Sequence, residues 1–288
     1  MGTRPRAVAV FCKPRAQARG PLQRVAEELR RRGVEMLFDE NAREALGLER
    51  SFPRERAVEL ADLVVSVGGD GTLLAAARAV GARETPIVGV NLGSLGFLTE
   101  TRCEDVSEVL DAALEGRATI EERRALQMTR DGEAPRPDGL ALNDVVLGNQ
   151  TMARLTSLSL AVDDEWVTDF RADGLIVSTP TGSTAYNLAA GGPLVCPSVD
   201  ALVATPICPH SLSQRPLILP GNAKVSIRLA EGQPATDIVV TLDGQVSFPL
   251  APGETILLSF AAHRVRLIHP GGQTFFSTLR NKLGWGHP

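Results

Sequence analysis

Lysine appears only at positions 13, 224 and 282, tyrosine once and tryptophan twice in these 288 residues, and no block of basic side chains occurs. With 30 basic against 34 acidic residues and a net charge of −4, the chain lacks the positive field that holds DNA or RNA by its phosphates. No nucleic-acid partner is expected. Nor is there an apolar run near the roughly 20 residues that span a membrane. The longest nearly apolar stretches, such as Leu63–Val67, are strand-sized, and residues 1–17 lack the apolar core of a signal peptide. A cytoplasmic protein with no membrane partner is expected. The four cysteines (Cys12, Cys103, Cys196 and Cys208) form no C-x-x-C pair, which argues against a disulfide framework and a zinc ribbon. Cys208 and His210 stand two apart, but nothing supplies further ligands. No metal site in the chain is predicted. Three nucleotide or hydrolase signatures are missing too. No lysine follows glycine and precedes Ser or Thr as in a Walker A loop, no G-x-G-x-x-G follows a strand, and Gly93-Ser94-Leu95-Gly96 has the wrong spacing for a nucleophile elbow.

What is present is a chain long enough for two domains. Its first part alternates strand and helix signals: Ala7–Phe11, a helix-period stretch with Leu22, Val25 and Leu29 on one face, then Val34–Phe38. A second unit follows as the strand Leu63–Val67, a glycine turn at 68–71, a helix over Thr72–Val80 and the strand Ile87–Asn91. Such alternation predicts a parallel sheet covered by helices, with ligands beyond the carboxyl ends of its strands. After Glu115-Gly116 the signals become mostly β: Leu155–Val162, Lys224–Leu229, Ile238–Leu242, Ile256–Phe260 and Arg264–Ile268, separated by Pro/Gly/Asp turns. Phe275–Leu283 reads as a helix that packs back on the first domain.

Three segments carry chemistry. The first is Gly68-Gly69-Asp70-Gly71-Thr72, between a buried strand and a helix. Glycines allow close backbone approach, and the helix start offers N–H groups and a positive dipole end to a phosphate. A carboxylate there repels phosphate unless it meets a hydroxyl proton or a metal ion, and both tasks belong to phosphoryl transfer. The alternative is an Asp that merely caps the helix. The second is Asp173–Asn187, in which five hydroxyl side chains surround Pro180 and Gly182, a dense set of donors and acceptors suited to ribose, amide and phosphate. Tyr186 there either stacks on a base or fills core. The run Ala189-Ala190-Gly191-Gly192-Pro193 then permits close backbone approach. The third is Asn143-Asp144, an amide and a carboxylate inside an apolar strand. Adjacent strand residues face opposite sides, so the pair implies a ligand, a strand end or a bulge.

Together these segments resemble the NAD kinase family: Gly68–Leu74 as G-G-D-G-T-x-L, Asn91–Phe97 as N-x-G-x-L-G-F, Ala141–Asp144 as A-L-N-[ED], and Asp173–Tyr186 as D-G-x-x-x-S-T-P-T-G-S-T-A-Y. The last run separates the chain from diacylglycerol, sphingosine and 6-phosphofructo kinases, which share only G-G-D-G. The resemblance implies a Rossmann-like α/β domain over 1–117, a β-sandwich domain over 118–270 and a carboxyl-terminal segment 271–288 returning to the first. It implies phosphorylation of the adenosine 2′-hydroxyl of NAD, with ATP, another triphosphate or polyphosphate as donor, in a homodimer or homotetramer. By residue, it makes Asp70 the proton acceptor with Gly71 beside it, and Gly68, Gly69, Gly71 and Thr72 the phosphate-binding turn. It makes Phe97, Asn143, Asp144, Arg154, Arg171 and Asp173 contacts of NAD. Thr184, Ala185, Tyr186, Asn187, Leu188 and Ala189 would enclose the dinucleotide, and Gln245 would close it. Mg²⁺ would be held mainly through the donor phosphates. Asp144 stands where Glu is frequent and Ala189 where some members carry Ser. Two other readings compete: a lipid kinase of the diacylglycerol kinase type, and a non-catalytic NAD-binding sensor, which has no need of a carboxylate at position 70.

Overall fold

The computed structural model describes residues 7–14, 18–93, 96–149, 155–231, 238–269, 271 and 274–285. Two compact units divide it, one formed by Met1–Arg123 with Arg264–Pro288 and the other by Arg124–His263.

The first unit is α/β. Its elements run β1 (Ala7–Cys12), α1 (Arg19–Arg31), β2 (Glu35–Phe38), α2 (Glu40–Leu46), α3 (Arg54–Leu60), β3 (Leu63–Gly68), α4 (Asp70–Val80), β4 (Ile87–Asn91), β5 (Thr101–Arg102) and α5 (Val106–Leu114). The sheet order is β4-β3-β1-β2, all parallel, with β5 parallel beside β4. β1, β3 and β4 are buried along their whole length, as expected of strands covered on both faces. Alternate residues Val8, Val10, Cys12, Val65, Val67, Val88 and Val90 share one cluster with Leu22, Val25 and Leu29 of α1 and Val106, Val109 and Leu110 of α5. The 3.6-residue spacing of those helical positions meets the two-residue spacing of the strands. α4 packs on β4 so tightly that a Cβ at Gly89 would stand 2.7 Å from Leu73 Cδ1. α4 begins at Asp70, two residues before the expected Thr72, because Gly69 already takes the extended cap conformation.

The second unit is a β-sandwich. Its strands are β6 (Thr119–Arg130, shared with the first unit), β7 (Leu140–Ala141), β8 (Asp144–Asn149), β9 (Thr156–Val162), β10 (Glu165–Ala172), β11 (Gly174–Ser178), β12 (Ala201–Ile207), β13 (Leu217–Pro220), β14 (Val225–Leu229), β15 (Ile238–Leu242), β16 (Val246–Pro249) and β17 (Thr255–His269), with the short helix α6 (Tyr186–Ala189) between β11 and β12. One sheet has the antiparallel order β13-β12-β11-β8-β15-β16, and β10-β9-β14 continues to β17 residues 255–258 in the other. Every second residue points into a common core, with Val145 and Leu147 from β8 and Leu175 and Val177 from β11 meeting Leu158 and Leu160 from β9 and Val225, Ile227 and Leu229 from β14.

β17 corrects the sequence reading. Ile256–Phe260 and Arg264–Ile268 are one strand of 15 residues, since Ala261-Ala262-His263 contains no residue that breaks a strand. Its last residues, Leu267 and Ile268, pair with Ile87 and Val88 in the first unit's sheet. The helix α7 covers Phe275–Leu283 as expected and starts with a capping box made by Thr274 and Ser277.

Candidate active site

Asp70 is the first residue of α4, but its side chain does not cap that helix. The carboxylate crosses instead to the loop after β4. Oδ2 accepts from the Phe97 amide at 2.9 Å, and Oδ1 accepts from the Leu98 amide at 3.2 Å, the Thr99 amide at 3.0 Å and the Thr99 hydroxyl at 2.9 Å. An ionised carboxylate has about four acceptor positions. With three bonds on Oδ1 and one on Oδ2, Oδ2 is the oxygen with room for a further donor. The loop is pinned from its other side by Asn91, whose Nδ2 donates to the Thr99 hydroxyl at 2.7 Å and whose Oδ1 accepts from the Gly93 amide at 2.6 Å. Gly96 makes the approach possible, because a Cβ there would overlap the Asp70 carboxylate. Phe97 thus contributes through its backbone.

The glycine turn is only partly as expected. A Cβ at Gly69 would have nothing within 4 Å, so the backbone there is open to approach, and Gly71 is exposed. Thr72 departs from the phosphate-binding expectation. Its amide donates to the Gly69 carbonyl at 2.9 Å, and its side chain is buried against Gly68, where a Cβ would collide with it. It shapes the turn and has no amide left for a phosphate.

In the second unit, Asn143 and Asp144 lie where β7 has ended and β8 begins. The break resolves the polar pair: Asp144 is 4% exposed, while Asn143 is half-buried and its side chain makes no hydrogen bond among the described residues. Three successive amides at the break are collected by Asp243, with Leu142 N donating to Oδ2 at 3.1 Å, and Asn143 N and Asp144 N to Oδ1 at 2.7 and 3.3 Å. Asp243 sits in the β15–β16 turn at φ 50°, a conformation Asp tolerates. Burial, and then the Asp243 charge, push the Asp144 carboxyl up from 3.8 to about 7.

The hydroxyl-rich segment overturns part of its reading. Ser178 donates to the Thr179 carbonyl at 2.9 Å, Thr179 to the Leu142 carbonyl at 2.7 Å, and Ser183 to the Pro180 carbonyl at 2.7 Å. The Thr184 hydroxyl turns to the Thr181 carbonyl at 3.4 Å. These hydroxyls are spent on backbone carbonyls and lock a buried turn; they are not a bed of open donors. The same turn grips the strand break, since Thr179 N donates to the Asn143 carbonyl at 2.9 Å and a Cβ at Gly182 would overlap it. Asn187 also departs from its expected contact with the dinucleotide. It is fully buried, its Nδ2 donating to the Ser183 and Pro193 carbonyls at 3.1 and 3.0 Å and its Oδ1 accepting from Thr205 at 2.7 Å. It braces the segment from behind. Tyr186, by contrast, is 47% exposed, which removes the core-filling alternative. Ala185 and Leu188 are half-buried and Ala189 is exposed.

Arg171 and Asp173 are both exposed. Arg171 lines a cavity of about 700 Å³ with Ser157, Ser159, Asp169, His210 and Arg228, and no other expected site residue lines it. Gln245 is exposed beside Asp243. Arg154 lies outside the described residues. The sequence reading missed Asn91, Gly96, Thr99 and Asp243 as parts of the machinery. Asn91 and Gly96 sat in a motif already noted and Asp243 before a turn glycine, but nothing in the sequence marked Thr99. Among the described residues no three His, Cys, Asp or Glu side chains converge as a metal site, and no helix is long and apolar enough to cross a membrane.

Comparison with known proteins matches residues 8–118 to the ATP-NAD kinase N-terminal domain and residues 142–270 to the ATP-NAD kinase C-terminal domain. An NAD kinase of Solibacter usitatus is 42% identical over 280 residues, covering 96% of each chain. One of Geotalea daltonii is 41% identical, covering 97% of this chain and 98% of its own. Yeast NADH kinase complexed with NADH superposes with a TM-score of 0.88 at 28% identity, covering 98% of this chain and 89% of its own. An Archaeoglobus fulgidus NAD kinase in complex with ATP gives 0.79 at 28% identity, covering 96% and 98%.

Proposed function

The chain belongs to the NAD kinase family, and from that premise we propose that it moves a phosphoryl group from ATP, another triphosphate or polyphosphate to the adenosine 2′-hydroxyl of NAD, giving NADP. It is an NAD kinase, a phosphotransferase acting on NAD. The observation that carries the finer reading is the Asp70 carboxylate, fixed through four hydrogen bonds with Oδ2 the less occupied oxygen.

In this reading Asp70 Oδ2 accepts the hydroxyl proton as the 2′-oxygen–phosphorus bond forms and the bond from that phosphorus to the donor's bridging oxygen breaks, the shortened donor leaving with the electron pair on that oxygen. A base whose rotamer is set beforehand needs no reorganisation at that moment. The open backbone at Gly69 and the exposed Gly71 receive the donor phosphates at the start of α4. Asn143 offers its side chain to the adenine or ribose, ionised Asp144 accepts from ribose hydroxyls, and the exposed Tyr186 ring stacks on a base. Ala185, Leu188 and Ala189 line the dinucleotide beside it, and Gln245 closes over it. Arg154 and Arg171 are assigned to the pyrophosphate, which a guanidinium meets in forked geometry, and Asp173 to NAD. A loose phosphoryl-transfer transition state asks for this kind of positioning and charge neutralisation more than for covalent help. Mg²⁺ would be held mainly by the donor phosphates and would offset their charge. The compartment is read as the cytoplasm, in keeping with four unpaired cysteines.

The test is incubation of the purified protein with ATP, Mg²⁺ and NAD, reading NADP with an NADP-specific dehydrogenase, beside a reaction in which polyphosphate replaces ATP. NADP is expected in at least one. None in either, from folded protein that still binds NAD, would replace this reading with that of a sensor.

A further inference from the structure

The loop that holds Asp70 has an anchor of its own. Glu100 follows Thr99 directly, and its side chain, 10% exposed, lies 3.0 Å from His269 Nδ1 through Oε2. His269, at the end of β17, turns its other nitrogen to Glu121 of β6, with Nε2 3.4 Å from Oε2. Glu121 in turn takes the Arg123 guanidinium at 2.7 Å. All four residues belong to the first unit, and none of them has a part in the proposed chemistry. A neutral imidazole has one N–H donor and an imidazolium has two. A ring that faces a carboxylate with each nitrogen is therefore matched in its charged form.

We propose that Glu100 and protonated His269 form a positioning pair for Asp70: the imidazolium tethers Glu100, and Glu100 holds the Leu98–Thr99 backbone that fixes the carboxylate. The inference rests on the reading of Asp70 as proton acceptor and adds a control of its geometry by a proton held elsewhere. The facing carboxylates, Glu100 first and then Glu121, raise His269 from 6.5 to about 9 against the opposing effect of burial. For Glu121, burial acts upward, but the bonds from His269 and Arg123 outweigh it and hold the carboxyl down at about 2. The groups facing the ring are thus Glu100 and Glu121, with Arg123 behind the latter. Because the folded value is raised, the contribution of the pair to stability is complete below pH 6.5 and is lost as pH rises through about 9. The tether on the loop goes with it.

The experiment measures kcat and KM for NAD in Glu100→Gln, His269→Gln and Asp70→Asn, with kcat of the parent followed from pH 7 to 10 on protein shown to be folded by circular dichroism. Glu100→Gln and His269→Gln are expected to lower kcat about 10-fold or more while KM for NAD stays within twofold. Glu100→Asp should recover part of the loss. The parent should lose kcat above about pH 9, His269→Gln should lack that limb, and Glu121→Gln should move it to lower pH. If Asp70→Asn is inactive while both Gln variants run at the parental kcat, the positioning role is overturned and the reading of Asp70 stands. If Asp70→Asn turns over normally, both fall. Should the Gln variants not fold, the parent decides: a kcat flat to pH 10 overturns the proposal.

Discussion

Asp144→Asn should make the protein more stable at pH 8 and a poorer binder of NAD. The carboxyl is 4% exposed, and its value rises from 3.8 to about 7 through burial first and Asp243 second. A raised carboxyl favours the protonated native state, so Asp144 costs nothing below pH 3.8, and its cost grows as pH rises to about 7 and then levels off. At about 1.4 kcal/mol per tenfold change in proton affinity, the full cost is about 4 kcal/mol. Asparagine carries no charge, though its amide must also be accommodated in a buried position, so a gain of about 2 to 4 kcal/mol is expected at pH 8. At pH 5, where the native carboxyl is protonated, the gain shrinks to about 1 kcal/mol. Thermal unfolding at the two pH values reads this directly, with a rise in Tm of about 5 to 10 °C at pH 8. KM for NAD should rise in the variant. In the parent it should climb as pH falls below about 7, where the acceptor carboxylate is lost. No gain at pH 8, or an equal gain at both pH values, would refute the account of Asp144 as an unneutralised buried charge.

Three further substitutions divide the site by role. Asp70→Asn should lower kcat by about 10²- to 10⁴-fold, the usual contribution of a positioned base, while calorimetric NAD affinity stays within threefold; a normal kcat removes Asp70 from the proton path. Tyr186→Ala should raise KM for NAD about 5- to 100-fold, the worth of one base–aromatic stack, with Tm unchanged because the ring is exposed; an unchanged KM would leave the ring without a role. Asn187→Ala should do the reverse of a ligand-contact mutation, lowering stability by about 2 to 4 kcal/mol through three lost buried hydrogen bonds, and a variant with normal Tm but weakened NAD binding would return Asn187 to the pocket.

Local elements were legible in the sequence where period and punctuation agreed. Ile238–Leu242 and Phe275–Leu283 have the expected bounds, one a β-branched run between turns and the other a helical pattern followed by Gly284. β17 was split in the sequence reading because an apolar dip at Ala262-His263 resembles a turn, yet a chain without Gly or Pro there has no reason to leave the sheet. The hydroxyls of 178–184 were misread for a different reason: composition shows that donors exist and not which way they turn. The bonds from Asp70 to residues 97–99 and from His269 to Glu100 span 27 and more residues of chain. Their partners are chosen by topology, which no local pattern records. Asp243 was hidden likewise, for its turn position predicts its backbone angle and not the three amides it collects from 99 to 101 residues away.

The clamp on Asp70 also bears on how such a protein can change over generations. A carboxylate that serves only chemistry can be lost without disturbing the framework, and a binder descended from an enzyme then keeps its shape. Here the same two oxygens satisfy the amides of Phe97, Leu98 and Thr99. A lineage that replaced Asp70 by an apolar residue would leave those donors wanting at the moment it lost the base. The path from catalyst to pure NAD receptor therefore runs through a frayed loop, and inheritance of the fold in good order tends to carry the acid along with it.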